Sequence, residues 1–172
     1  MAANKYLSLT AGKIKEVIAT VTSAGAGDAN KIVALDAAGK LDVSILPAGV
    51  AAEVTVVASF ENLTAGEFVN IFLDSAVAKA RKADATTNAK TAHGFVLANV
   101  TAPANATVYR ISTTNTALTG LTIGSDYFLS TTPGGVTTTA PSATGNIVQP
   151  LGRATLTTSM VFTNEQLYTE IA

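Results

Sequence analysis

Apolar and polar residues alternate along this chain in short bursts separated by turn-forming residues, the pattern of many short strands rather than of helices. The clearest run lies mid-chain. Val54-Thr-Val-Val-Ala58 is followed by a turn, Asn62-Leu-Thr-Ala-Gly66, and then by Phe68-Val-Asn-Ile-Phe-Leu73, the strongest core-strand pattern in the sequence. Residues 77–82 predict a mixed strand with a half-buried face, and residues 84–91 a polar loop. Residues 93–100 predict a buried strand, and residues 106–111 another after a turn at Pro103. Downstream, residues 118–124 read as a loop leading into Asp126-Tyr-Phe-Leu-Ser130, and Thr132-Pro-Gly-Gly135 is a tight turn. Short strands are expected at 136–139, 146–149, 153–156 and 160–162, and residues 165–171 fit a final helical turn or an edge strand.

The N-terminal stretch is different, because it holds little from which to build a core. Residues 12–21 fit a short helix, with Ile14, Ile18 and Val21 on one face, or a strand, since Val and Thr lower helix propensity. Ser23-Ala-Gly-Ala-Gly27 reads as a flexible link. Lys31-Ile-Val-Ala-Leu35, Asp36-Ala-Ala-Gly39 and Lys40-Leu-Asp-Val-Ser-Ile-Leu46 predict strand, turn and strand, ended by Pro47 and Gly49. A hairpin of this kind is marginal alone and needs a partner. Fully extended, the first 50 residues reach roughly 165 Å. The chain therefore divides into an N-terminal arm or hairpin, residues 1–52, and a β-rich domain, residues 53–172. The fold class is all-β: a small barrel- or sandwich-like domain with an extended N-terminal arm.

Composition narrows the function. The formal charge is −1 and charged residues make up only 13% of the chain, so no basic patch is available to neutralise a run of phosphates. Nucleic acid is not an expected partner, and no basic amphipathic helix points to a membrane surface. There is no cysteine, which excludes disulfides and thiolate chemistry. No apolar run approaches the ~18 residues of a membrane span, and Met1-Ala-Ala-Asn-Lys5 lacks the apolar stretch of a secretory leader, so synthesis in a cytoplasm is expected. Sequons at Asn62, Asn99 and Asn105 carry little weight in so threonine-rich a chain.

Candidate chemistry is sparse. His93 is the single histidine; it stands beside Gly94 at the head of an apolar run with no second His or Cys to share a metal, and reads as structural. Asp36 and Asp42 flank Gly39 without the alternating ligands of a calcium loop, and read as turn carboxylates. Gly12-Lys13-Ile14 and Gly39-Lys40-Leu41 lack the remaining residues of a phosphate loop. No serine sits in a nucleophile elbow. No catalytic, cofactor or metal site is expected, nor a small-molecule substrate. Lys79, Arg81 and Lys82 form the one basic cluster; alternation puts Lys79 and Arg81 on one strand face, available to an acidic partner surface or simply solvated. Phe68, Ile71, Phe72, Phe95, Val96, Tyr109, Tyr127, Phe128 and Phe162 read as core, some of them at a subunit interface.

Several stretches resemble a known family. Ala65-Gly-Glu-Phe-Val-Asn-Ile71, Ala80-Arg-Lys-Ala-Asp-Ala85 and Ala92-His-Gly-Phe-Val96 are similar to segments of the decoration (cement) proteins on the heads of tailed bacteriophages. So are Gly120-Leu-Thr-Ile-Gly-Ser-Asp-Tyr-Phe-Leu-Ser130, Pro133-Gly-Gly-Val-Thr-Thr-Thr-Ala-Pro141 and Gly145-Asn-Ile-Val-Gln-Pro-Leu-Gly152. Asn30-Lys-Ile-Val-Ala-Leu-Asp-Ala-Ala-Gly-Lys-Leu-Asp42 resembles a unit of phage tail-fibre and head-fibre proteins. The resemblance implies a β-barrel-like domain, commonly a homotrimer, bound to the major capsid protein on the exterior of a virion built in a host bacterial cytoplasm. It also implies an N-terminal segment that contacts the shell or adjacent subunits. On that reading the candidate partner contacts are Tyr6, Leu7, Leu9, Ile14 and Ile18, then Ile32, Leu35, Ile45 and Leu46, with Lys79 and Arg81 on the domain. The alternative is a tail- or head-fibre component that binds a host surface receptor.

Overall fold

The computed structural model describes residues 4–46 and 53–172, and its chain divides into two compact units, Met1–Ala51 and Ala52–Ala172. The molecule is all-β, with only three single-turn 3-10 segments among the described residues.

The first unit opens with an antiparallel ribbon of β1 (Lys5–Thr10) and β2 (Lys13–Ile18), joined by Ala11 and Gly12. Both joining residues have positive φ, 51° and 74°, as a two-residue turn matched to strand twist requires. Of residues 12–21, which fit helix or strand by sequence, Lys13–Ile18 thus form strand. The segment expected to be a flexible link contains a turn, Ala26–Asp28, held by Asp28, whose Oδ2 accepts the Ala24 N–H at 2.6 Å. The strand–turn–strand expected at 31–46 is only half present. Its turn forms: Asp36 Oδ1 accepts the N–H groups of Ala38 and Lys40, each at 2.8 Å. Its arms do not pair. Val33 instead bridges Thr20 in parallel, and Asp42 captures the Ser44 N–H and hydroxyl and winds Val43–Ile45 into a 3-10 turn. Local side-chain acceptors have outcompeted the ladder. Pro47 and Gly49, read as the end of this unit, lie outside the described residues. No side chain described in the unit is buried.

The second unit carries a closed five-stranded barrel. Its strands are β3 (Val54–Ser59), β4 (Phe68–Asp74), β5 (Val77–Lys82), β6 (Gly94–Phe95) and β7 (Asn105–Tyr109), in the order β3-β5-β4-β6-β7. All pairings are antiparallel except β3 with β5. Alternation sends Val69, Ala80, Ala106 and Val108 inward, where with Leu63 and Val96 they fill the barrel. The buried strand expected at 93–100 is reduced to two residues. After Phe95 the chain turns aside, because Val96 exchanges backbone hydrogen bonds with Gly66 and Glu67 and Val100 pairs with Leu63.

A second sheet is built from β8 (Thr114–Asn115), β9 (Asp126–Leu129) and β10 (Val136–Thr137), then, beyond β11 (Ile147–Val148), from β12 (Pro150–Leu156) and β13 (Ser159–Val161). Its order is β10-β9-β12-β13-β8. The tail closes as an edge strand, β14 (Thr169–Glu170), paired with β11, which selects between the two readings of residues 165–171. A larger core lies between this sheet and one flank of the barrel. Phe68 sits at its centre, edge-on to Phe162 at 5.4 Å and 5.8 Å from Phe95, with Leu129, Ile147, Leu151 and Met160 around them. Of the residues read as core, Phe72 and Phe128 join neither cluster: Phe128 is half-buried on β9, and Phe72 lies on the barrel's other flank, half-buried against Phe60 at 5.3 Å.

Three buried amides stitch loops to this scaffold. Gln149, fully buried, accepts the Ala92 N–H through Oε1 at 2.7 Å and donates to the Ala92 carbonyl through Nε2 at 2.9 Å. Asn115 donates to the Gly66 carbonyl at 2.9 Å, and Asn70 to that of Thr91 at 2.8 Å. Each satisfies backbone groups that the irregular loops leave without a ladder partner.

Candidate functional site

The candidate contacts of the N-terminal unit fall into two sets. Residues opposite one another in an antiparallel pair share a face, so the register Lys5↔Ile18, Leu7↔Glu16 and Leu9↔Ile14 gathers Leu7, Leu9, Ile14 and Ile18 on one side of the ribbon. All four are solvent-exposed, at 72%, 75%, 73% and 58% of their surface. The charges on this face are Lys5 and Glu16, which pair with each other. The opposite face holds Tyr6 against Val17, with Ser8, Thr10, Lys13 and Lys15. Tyr6 is therefore separated from the leucines it was grouped with. Ile32 and Leu35 are also exposed, while Ile45 and Leu46 are half-buried within their own unit. Covering the four ribbon side chains is worth on the order of 4–8 kcal/mol before the cost of association. Folding of the unit itself leaves that area wet.

On the barrel, Lys79 and Arg81 share the outer face of β5, as alternation predicts, but neither is a free surface charge. Lys79 pairs with Asp74 at 2.6 Å and stands 5.9 Å from the Phe60 ring. Arg81 lies 4.2 Å over Phe72, with Nε on Asn70 Oδ1 at 3.0 Å and a terminal nitrogen on the Ala89 carbonyl at 2.7 Å. Among the described residues of this unit, Arg81 is the one cation without a carboxylate partner. The face is completed by exposed Val54, Val56, Phe60 and Val77. The sequence singled out the two cations and missed the aromatic floor beneath them. The signal was present in the β4–β5 hairpin, whose register sets Phe72 opposite Lys79 and Asn70 opposite Arg81.

His93 has a structural position. Its Nδ1 accepts the Ile71 N–H at 3.0 Å, taking the place of a carbonyl in the β4 ladder, so the neutral ring carries its proton on Nε2, 3.2 Å from the Thr91 hydroxyl. That nitrogen donates to Thr91 and has no lone pair with which to activate it. Burial, and then the positive charges of Arg110 and Arg81, hold the ring's pKa below its ordinary 6.5. A cavity of about 290 Å³ beside it is lined by Thr91, His93, Arg110, Glu165, Gln166 and Tyr168, with Arg110 ion-paired to Glu165. Asp84, expected in a polar loop, is buried. Burial works to raise its pKa, but hydrogen bonds from Thr86 and Lys90 outweigh that and hold the carboxyl below 3.8. Asp36 and Asp42 hold turns, as described above. Among the described residues no three acidic or histidine side chains converge as a metal site would require. Among the described residues no helix is long and apolar enough to cross a membrane.

Comparison with protein-family models, with curated proteins and with solved structures finds no match to this chain.

Proposed function

We propose that this chain is a structural protein of a tailed-bacteriophage virion: a homotrimeric decoration protein that binds the major capsid protein on the outside of the head and stabilises the shell. The observation that carries the reading is the ribbon. A segment with no buried side chain among its described residues holds four large aliphatic residues on one face, and it is joined to a domain that has its own two-part core. The domain has its own cores, and the ribbon's aliphatic face has no partner within its own unit. A clamp needs that division. Binding would then draw on buried apolar area and strand contacts rather than on chemistry, and three linked copies would raise avidity without stronger single contacts. What supports a phage capsid as the lattice is the resemblance of the segments between residues 65 and 152 to decoration proteins.

The test uses undecorated capsids assembled from the major capsid protein of the genome that carries this chain. The intact protein should bind them to saturation at a fixed stoichiometry and sediment as a trimer. The double variant Leu9→Asp, Ile14→Asp should lose capsid binding by at least tenfold with an unchanged thermal midpoint for the domain. Equal binding by that variant or by a 53–172 fragment, or a protein that stays monomeric and never associates with capsids, would overturn the proposal.

A further inference from the structure

A second feature lies on the barrel, where β6 and β7 part. The two strands are paired only at Phe95↔Tyr109. Beyond that pair, residues 96–101 leave the ladder and the gap opens into a groove of about 580 Å³, within the size range of sites for small ligands. Both walls are fixed without an occupant. The loop wall is tied to residues 62–67 by the Leu63–Val100 pair, by the Ala65 N–H on Asn99 Oδ1 at 2.9 Å, and by Gly66 and Glu67 on Val96. The other wall is β7, held to β3 along its whole length.

The chemistry of the lining is specific in one respect: it contains no Asp, Glu, Lys, Arg or His. Asn105, Thr107 and Tyr109 follow one another at two-residue spacing on one face of β7, so an amide, a hydroxyl and an aromatic ring form a row roughly 13 Å long. Thr101 and the amide nitrogen of Asn99 stand on the facing wall. Asn99, Thr101, Asn105 and Thr107 are exposed, and none of these four is engaged in the ladder through its side chain. The Tyr109 ring is stacked on Phe95 at 5.7 Å and 17°, which holds it still at the end of the row.

We propose that this groove binds a neutral oligosaccharide, with sugar hydroxyls meeting the Asn and Thr side chains and the apolar face of one ring resting against Tyr109. A row of uncharged donors and acceptors beside a fixed aromatic ring fits a polyol. An anionic glycan would find no cation there. An extended peptide is read by pockets for alternate side chains, and here the larger aliphatic wall residues Val96, Leu97 and Val100 pack on the cores, which leaves only the small Ala98 and Ala104 exposed. Preorganised walls reduce the ordering cost of a weak ligand.

The inference is independent of capsid attachment, and its test keeps the two apart. The intact, nitrogen-15-labelled protein is titrated in separate experiments with maltohexaose, cellohexaose and chitohexaose, with an oligogalacturonate as the anionic control and an uncharged threonine-rich peptide as the alternative occupant. At least one neutral hexasaccharide should shift the amide signals of residues 97–109 saturably. Asn105→Ala with Thr107→Ala, both exposed positions, should weaken that binding about tenfold while leaving signals of the core around Leu129 and Met160 in place. The ribbon variant Leu9→Asp, Ile14→Asp should bind sugar like the parent. No shift with any neutral sugar, shifts confined to another surface, equal binding by the double alanine variant, or shifts with the oligogalacturonate or the peptide alone would overturn the inference.

Discussion

His93 shows how one side chain joins position to pH response. Its folded pKa lies below 6.5, so between the two values the unfolded chain binds the proton that the native ring refuses. The stability it contributes is therefore complete above about pH 6.5 and is lost as pH falls through the lowered value. Asp84 acts in the same direction further down: its folded pKa is below 3.8, so its contribution is complete above 3.8 and is lost as pH falls through the folded value. Thermal midpoints measured against pH should fall in two stages, and His93→Gln should remove the upper stage while keeping the lower. A single stage in the parent protein would contradict this account. The lone histidine was legible as structural because nothing nearby in sequence offered it a partner. What it bonds to was not, since Ile71 lies on another strand. Gln149 was more accessible than it looks. It stands two residues from both Ile147 and Leu151, and all three are fully buried, so strand alternation alone would have turned it inward.

At the scale of elements, alternation located β3, β4, β5, β7 and β9 within a residue or so, because each has one face against a core. It failed where local hydrogen bonds or tertiary partners decided the outcome. The arms around Asp36 looked like a hairpin, but Asp42 offered Ser44 a closer acceptor than any cross-strand group. Residues 96–100 are as apolar as a strand, yet they are bound to the 62–67 loop. The brief β8 has no apolar signature at all; it exists because Asn115 fastens Gly66 and Met160 lies beside it. Strand β12 carries the least obvious constraint. Its register shifts between Pro150 and Gly152, and Gly152 has φ +156°, with any Cβ there overlapping the Val161 carbonyl oxygen. Gly152→Ala should therefore destabilise the domain by about 3 kcal/mol in denaturant unfolding. A cost below about 0.5 kcal/mol, the range of an ordinary surface substitution, would show that the sheet gives way more readily than its geometry indicates.

At the scale of the whole molecule, two units divide the work unequally. One has two apolar cores, rich in Ala and Phe and closed by buried amides; the other has a ribbon, three local turns and no described side chain out of water. That contrast was legible in composition, since the first fifty-odd residues hold few aromatic side chains and the domain holds nearly all of them. That Leu7, Leu9, Ile14 and Ile18 gather on a single face was not legible, because it depends on the Ala11–Gly12 turn setting the register. The wet aliphatic face has a calorimetric consequence. Water released from Leu7, Leu9, Ile14 and Ile18 should give attachment a negative heat-capacity change, so that its enthalpy grows more favourable with each degree of warming. A flat enthalpy across temperature would mean that this face stays hydrated in the bound state.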